Sequence, residues 1–523
     1  MAVPADPIIE EEEGEDEEVE GGGLTHHPSA PSHEVFFDLS TTVDPSYIIS
    51  LIRKLLPLDS ASRSTFSEVG SENPNRGEEE EEGDAPSVSV SNDGNVKSSS
   101  NKSENMDVDV SAEFSRGECE GTDVSVGESA WEEYGCVLWD LAASKTHAEL
   151  MVDNLILEVL LANLLVCKSA RVTEISIGII GNLACHEVPM KHIISTKGLI
   201  EIIIDKLFLD DPQCLYETCR LLTAGLQSGE SITWTEALQS EHVLCQILWI
   251  AENTLNHQLL EKIIGLILVI LESQQIVMDA LLPPMMKLGL ANILISLLTF
   301  EISKLTSERI PERYSILDLI LRAIEALSVL DDHSQEICSS TELFQLICDL
   351  VKFPDKVEVG NCCVTAAVLI ANMLSDVPDH ASRISEDLKL LGGLLDIFPF
   401  ASDDVEARNA LWNVIARILV RIREPEMSPS RVHHYVSVLV TKLDLIEDEL
   451  LNQQVDSGDE QHTLCSGSAA NARNASLGMI ISILNNWTAE EENAKNNRND
   501  EVPVSETDVK RLLDCCHKFY NYN

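Results

Sequence analysis

Seven apolar segments recur along this chain: GIIGNLA from Gly178, LLTAGLQ from Leu221, IGLILVI from Ile264, AIEALSV from Ala323, VLIANML from Val368, ALWNVIA from Ala410 and GMIISIL from Gly478. Their start-to-start distances are 43, 43, 59, 45, 42 and 68 residues, and four of the six fall in the window of about 40 to 47 that marks two- or three-helix repeats. A helix that is apolar nearly all round must be sandwiched between others. The clearest copy lies in RVTEISIGIIGNLAC, Arg171 to Cys185, where Gly178, Gly181 and Ala184 fall three apart and mark close approach of a neighbouring backbone. Asn182 is the polar group that such burial obliges to find a partner.

The periodicity predicts an all-α chain with an armadillo/HEAT-like right-handed α-solenoid over residues 130–488, because each unit covers its apolar stripe only by stacking on the next. From Trp131 onward no sustained alternation of apolar and polar residues argues for strands. Breakers fall between helices, among them Pro189, Asp211-Pro212, Pro311, Pro354 and Pro378, and Pro283-Pro284 is read the same way. The 59-residue spacing predicts an additional helix pair around Leu288 to Phe300, and the 68-residue spacing a polar loop at about 452–471. Residues 489–523 read as a linker and a C-terminal capping helix, with Ser505 as its N-cap.

The N-terminal quarter differs. Residues 1–33 and 59–129 are acidic and polar, cannot bury enough apolar surface to offset the ordering entropy, and are expected to be disordered. Between them, 34–58 carries a short amphipathic helix expected to dock on the solenoid: Asp44 is its cap, Pro45 its first residue and Pro57 its stop.

The net charge of −52 excludes some partners. Nucleic-acid binding rests on Lys and Arg neutralising phosphates, so no direct nucleic acid is expected, and partners should be proteins with a basic surface. No apolar run is long enough for a membrane span, so no membrane association is expected. The N-terminus as given lacks a basic, apolar leader, so an intracellular chain with reduced thiols is expected. Cys136, Cys167, Cys185, Cys219, Cys245, Cys338 and Cys348 sit in apolar runs and read as small core residues.

Catalytic and cofactor signatures were sought by spacing. GIIGN lacks the lysine of a phosphate loop and lies within a helix. Cys185-His186 with His192, and Cys515-Cys516-His517, lack the paired spacing of a metal site. No nucleophile motif is present, so no catalytic residue, metal or cofactor is assigned and the chain is expected to be non-enzymatic.

Three stretches carry a resemblance. CVLWDLAAS from Cys136, RVTEISIGIIGNLACHE and LFLDDPQCLYETCRLLTAGL from Leu207 resemble the serum amyloid A-like (SAAL) family of armadillo-like helical proteins, over Trp131 to Gln227. The resemblance implies a non-enzymatic role in the nucleus, linked to cell proliferation, and supplies no functional residues. Nuclear-import armadillo proteins clamp basic peptides with a Trp/Asn ladder at i, i+4. Here Asn182 follows Gly178, Asn372 follows Val368 and Trp412 precedes Ala416, so that ladder is absent. Asn182, Asn372 and Asn413 are the candidate groove residues, each with the alternative of bonding the adjacent repeat.

Two functions follow as expectations. One is a protein-interaction scaffold, nuclear or cytoplasmic, with a partner segment on the concave face. The other is a chaperone co-factor of the armadillo nucleotide-exchange type, on analogy of fold.

Overall fold

The computed structural model describes residues 43–57, 122–385, 387–420, 428–456, 466–494 and 504–520. The acidic tail 1–33 and residues 59–121 of the acidic insert lie outside the described residues. By internal contacts the chain divides into Met1–Tyr47 and Ile48–Asn523. In the first unit, Asp44 accepts the Ser46 amide at 2.9 Å and Pro45 opens helix α1 (Pro45–Lys54). The second unit holds everything discussed below.

It is an all-α, armadillo-like solenoid. After α2 (Thr122–Ala142) come seven three-helix repeats. They are α3 (Lys145–Asp153), α4 (Ile156–Val166) and α5 (Ala170–Leu183); then α6 (Glu187–Ser195), α7 (Leu199–Asp205) and α8 (Pro212–Gln227). Next are α9 (Ser231–Leu238), α10 (Glu241–Asn253) and α11 (His257–Glu272), then α12 (Gln275–Lys287), α13 (Leu290–Ser307) and α14 (Tyr314–Ser328). There follow α15 (Ser334–Cys338), α16 (Thr341–Val351) and α17 (Gly360–Asp376), then α18 (Ala381–Ile384), α19 (Leu388–Leu395) and α20 (Val405–Val420). The last repeat is α21 (Pro429–Thr441), α22 (Leu443–Asp456) and α23 (Ser466–Ala494), and α24 (Glu506–Tyr520) packs on α23.

The third helix of every repeat stacks on the third helix of the next, from α5 to α23, with α2 at the head of the row. All seven apolar segments fall in this ladder, which is why they are apolar all round. In α11, Leu259, Leu260, Ile263, Ile264, Leu266, Ile267, Leu268, Ile270 and Leu271 are all buried. The starts are set locally by short polar residues: Asp211 accepts the Cys214 amide at 2.8 Å, Asn256 that of Leu259 at 3.1 Å and Ser340 that of Leu343 at 3.2 Å.

Several expectations are corrected. The 59-residue spacing adds no helix pair: α12 and α13 are the same two helices found in every repeat, lengthened to 13 and 18 residues against 8 and 13 for α9 and α10. Pro283 and Pro284 lie inside α12 instead of breaking it, held by burial of Leu281, Leu282, Met285 and Met286 around them. Helix α2 begins at Thr122, inside the stretch 59–129 read as insert, and not near 130. In the 68-residue spacing α22 runs to Asp456 and α23 begins at Ser466, so of the expected polar loop only 457–465 lies outside the described residues.

Among the described residues one helix, α13, is long and apolar enough to cross a bilayer by length and composition. It packs against α10, α14 and α16 and buries Glu301, which pairs with Arg313 at 2.8 Å.

On the ladder helices Gly178, Gly181, Gly225, Gly360 and Gly478 face side chains and not backbone, and Gly265 faces open space. A Cβ on Gly178 would lie 2.2 Å from the Trp139 ring, whereas one on Gly181 would meet the far end of Arg220 at 2.7 Å. Replacing a helical Gly by Ala gains roughly 0.5–1 kcal/mol in propensity, and overpacking a fixed ring costs about 1–3 kcal/mol. Gly178→Ala should therefore lower stability in urea titrations by about 1–2 kcal/mol, while Gly181→Ala, which meets the end of a long side chain able to shift by a few tenths of an ångström with its bonds kept, should change it by under about 1 kcal/mol. Equal losses at the two positions would contradict this packing.

Candidate protein-binding face

The ladder helices keep one row of side chains that the neighbouring layers leave half-buried or exposed. It runs through Glu174 and Asn182 on α5, Arg220 on α8, Glu261 and Lys262 on α11, and Asp318, Arg322 and Glu325 on α14. Asn372 on α17 and Asn413 and Arg417 on α20 continue it.

The candidate asparagines are placed differently from one another. Asn182 donates from Nδ2 to the Trp139 carbonyl of α2 at 2.9 Å, and its Oδ1 accepts from Arg220 Nη1 at 3.0 Å. Both ends of the amide are thus engaged between repeats. Asn372 donates to Ser328 Oγ on α14 at 3.0 Å. Asn413 donates within its own helix, to the Asn409 carbonyl at 3.1 Å. The three do not form one continuous row of amides.

The residues that sequence reasoning missed are the arginines. Arg220 reaches the Gly178 carbonyl at 3.1 Å, Asn182, and Glu217 on its own helix at 2.7 Å. Arg417 donates to the Leu374 carbonyl and to Ser375 Oγ at 3.3 Å. Arg322 holds Glu272 at 2.9 Å, Arg171 holds Glu174 at 2.7 Å, and Lys262 sits 5.5 Å from the centre of the Tyr216 ring. Every one of these cations is committed to a neighbour. For Arg220 and Arg417 the acceptor one repeat away is a backbone carbonyl, which carries no letter in the sequence.

The acids on this face are not all matched. Glu217 is buried, and burial pushes its carboxyl above the usual range against the pull of Arg220. Asp318 is raised by burial, opposed by Arg322. Glu325 is raised by burial first, then by the carboxylates of Asp404, Asp318 and Glu406, with Arg322 opposing. Among the described residues neither Asp318 nor Glu325 has a cation within ion-pair distance. A groove of about 580 Å³ opens at the C-terminal ends of α5 and α8, between Ala184, Met190, Gln227 and Glu230. Helix C-termini add partial negative charge there.

The thiols divide. Cys214, Cys219, Cys338, Cys348, Cys362, Cys363 and Cys516 are buried, and burial pushes Cys219 up to about 12, whereas Cys185 and Cys245 are exposed. The core reading of those two is corrected: Cys245 falls on an exposed face of α10 and Cys185 in the turn after α5. Cys185 Sγ bonds the Gly181 carbonyl at 3.4 Å and His186 the Ala142 carbonyl at 3.1 Å. Among the described residues no three His, Cys, Asp or Glu side chains converge as metal ligands.

The chain is 26% identical over 300 residues to Protein saal1 of Danio rerio, covering 53% of this chain and 62% of that protein. It is 31% identical over 131 residues to Protein SAAL1 of Homo sapiens, 24% of this chain and 27% of that one. The curated relatives are SAAL1 proteins. The matched part thus spans less than two thirds of either relative's length. No family model matches the chain. Among solved structures, an engineered protein aligns with a TM-score of 0.46 at 14% identity over 77% of this chain and 87% of its own. A designed armadillo repeat protein aligns at 0.37 and 13% over 47% and 94%.

Removing Arg220 would leave Glu217 charged and buried without a partner. Breaking a buried pair costs about 3–5 kcal/mol, less at a half-buried arginine, so Arg220→Met should lose about 2 kcal/mol at neutral pH. Because burial raises the folded-state carboxyl pKa, the penalty is present above that pKa and fades as pH falls through it toward the ordinary carboxyl value of 4.5. Urea unfolding at pH 7 and pH 5 checks this: a loss that shrinks at pH 5, and is largely restored by adding Glu217→Gln, is expected.

Proposed function

We propose that the chain is a non-enzymatic protein–protein interaction scaffold whose ladder face, the concave side of the solenoid, holds a Lys- or Arg-rich segment of a partner protein. The observation that carries this reading is the imbalance on that face. Arg171, Arg220, Arg322 and Arg417 are each bonded within the chain, while among the described residues Asp318 and Glu325 have no cation within ion-pair distance and burial raises their carboxyl pKa values. An incoming ammonium or guanidinium relieves that repulsion, so binding favours basic side chains and suppresses acidic ones. The net charge of −52 acts in the same direction at longer range and makes encounter salt-dependent.

We propose further that this scaffold works in the nucleus or cytoplasm, in a process linked to cell proliferation, as the resemblance to the SAAL family implies. The unmatched carboxylates cost the free protein stability and serve the complex.

A labelled peptide of alternating Lys and Arg tests the reading by fluorescence anisotropy. Asp318→Asn with Glu325→Gln should weaken binding about tenfold, through two lost charge pairs of roughly 0.5–1 kcal/mol each. The same variant should melt about 1–2 °C higher at neutral pH, since it removes carboxylates whose ionised form the fold disfavours. Unchanged affinity, or affinity indifferent to salt between 50 and roughly 200 mM, would sink the proposal.

A further inference from the structure

Helix α1 is held by a site of its own. Ile48, Leu51, Ile52 and Leu55, at i, i+3, i+4 and i+7, are 0%, 1%, 3% and 0% exposed, while Arg53 and Lys54 on the other side face solvent. The helix closes in a turn, with the Leu55 amide on the Ile52 carbonyl at 3.1 Å, and this leaves the Leu55 carbonyl without an intrahelical donor. Two side chains supply donors instead. Asn163 Nδ2 on α4 lies 2.8 Å from that oxygen and Trp131 Nε1 on α2 lies 3.2 Å from it, while the Lys54 ammonium sits 4.2 Å over the Tyr134 ring of α2. The first repeat therefore recognises both the apolar stripe and the C-terminal end of a helix.

The receiving residues remain satisfied when the groove is empty. Asn163, itself 3% exposed, also donates to the Val159 carbonyl of its own helix at 3.0 Å, and Trp131 is only part-buried, within reach of water. Helix α1, in contrast, spans ten residues and is too short to persist alone in water. It contributes no rung to the ladder, and it reaches α2 along the chain only through residues 58–121.

We propose that the groove between α2 and α4 is an exchangeable helix-binding site, occupied in cis by α1, which leaves and re-docks as a unit in competition with the same segment supplied in trans. The site reads four apolar residues at i, i+3, i+4 and i+7 and a terminal carbonyl placed for Asn163 and Trp131. This rests on geometry at the first repeat and is independent of the ladder-face reading.

The test uses the full chain with a specific protease site placed within residues 58–121, cut after folding, and a labelled synthetic peptide of residues 43–57. After cleavage the peptide should enter the groove with at least tenfold higher apparent affinity than in the uncut chain, where α1 competes. A peptide carrying Leu51→Asp should bind at least fiftyfold more weakly, and Asn163→Ala in the protein should weaken the native peptide about fivefold. Because the Leu51→Asp comparison alters only the peptide, misfolding of a protein variant cannot imitate it. Equal uptake by cut and uncut chains, equal binding of native and Leu51→Asp peptides, or a cut fragment that never exchanges would each overturn the proposal.

Discussion

The stack depends on directional bonds between repeats. Burial of aliphatic side chains is the dominant favourable term, but it is non-directional and would allow one helix to slide along the next. Register is fixed by side-chain donors that cross one repeat and take a backbone carbonyl. Asn182 reaches Trp139, Arg220 reaches Gly178, Lys206 reaches Leu164, Gln246 reaches Leu207 and Arg417 reaches Leu374. These separations lie between 39 and 43 residues, one repeat apart, in a stack whose apolar surfaces alone would not distinguish neighbouring registers.

That role shapes the electrostatics. The chain has 36 basic residues against 88 acidic ones, and on the ladder the cations are drawn inward to carbonyls, amides and particular carboxylates. Acid gathers around Glu325, whose carboxyl pKa the charges of Asp404, Asp318 and Glu406 all raise. The acidity of the proposed binding face follows from how the repeats are locked, together with the overall charge.

The ladder helices were legible in the sequence because burial on all sides leaves an unmistakable run such as IGLILVI. Helix length within a repeat was not: α12 and α13 absorbed a long spacing by adding turns, and Pro283-Pro284 stayed helical because the flanking apolar residues are buried. Gly178 announced close packing without saying that the neighbour is an indole. Asn182 announced the need for a partner, and half of that partnership, Arg220, was hidden because its other acceptor is a main-chain oxygen. Of the candidate site, the acidic character could be read from composition; the commitment of each cation, which decides where that acidity is unmatched, required the third dimension.

Native-state hydrogen exchange across the α5–α8–α11 section tests the locking of repeats most directly. Cross-repeat bonds make neighbouring ladder helices open together, so amides of α5 and α8 should exchange with the same opening free energy, and Arg220→Met should separate the two into distinct units. Independent opening of α5 and α8 in the unaltered protein would contradict the account.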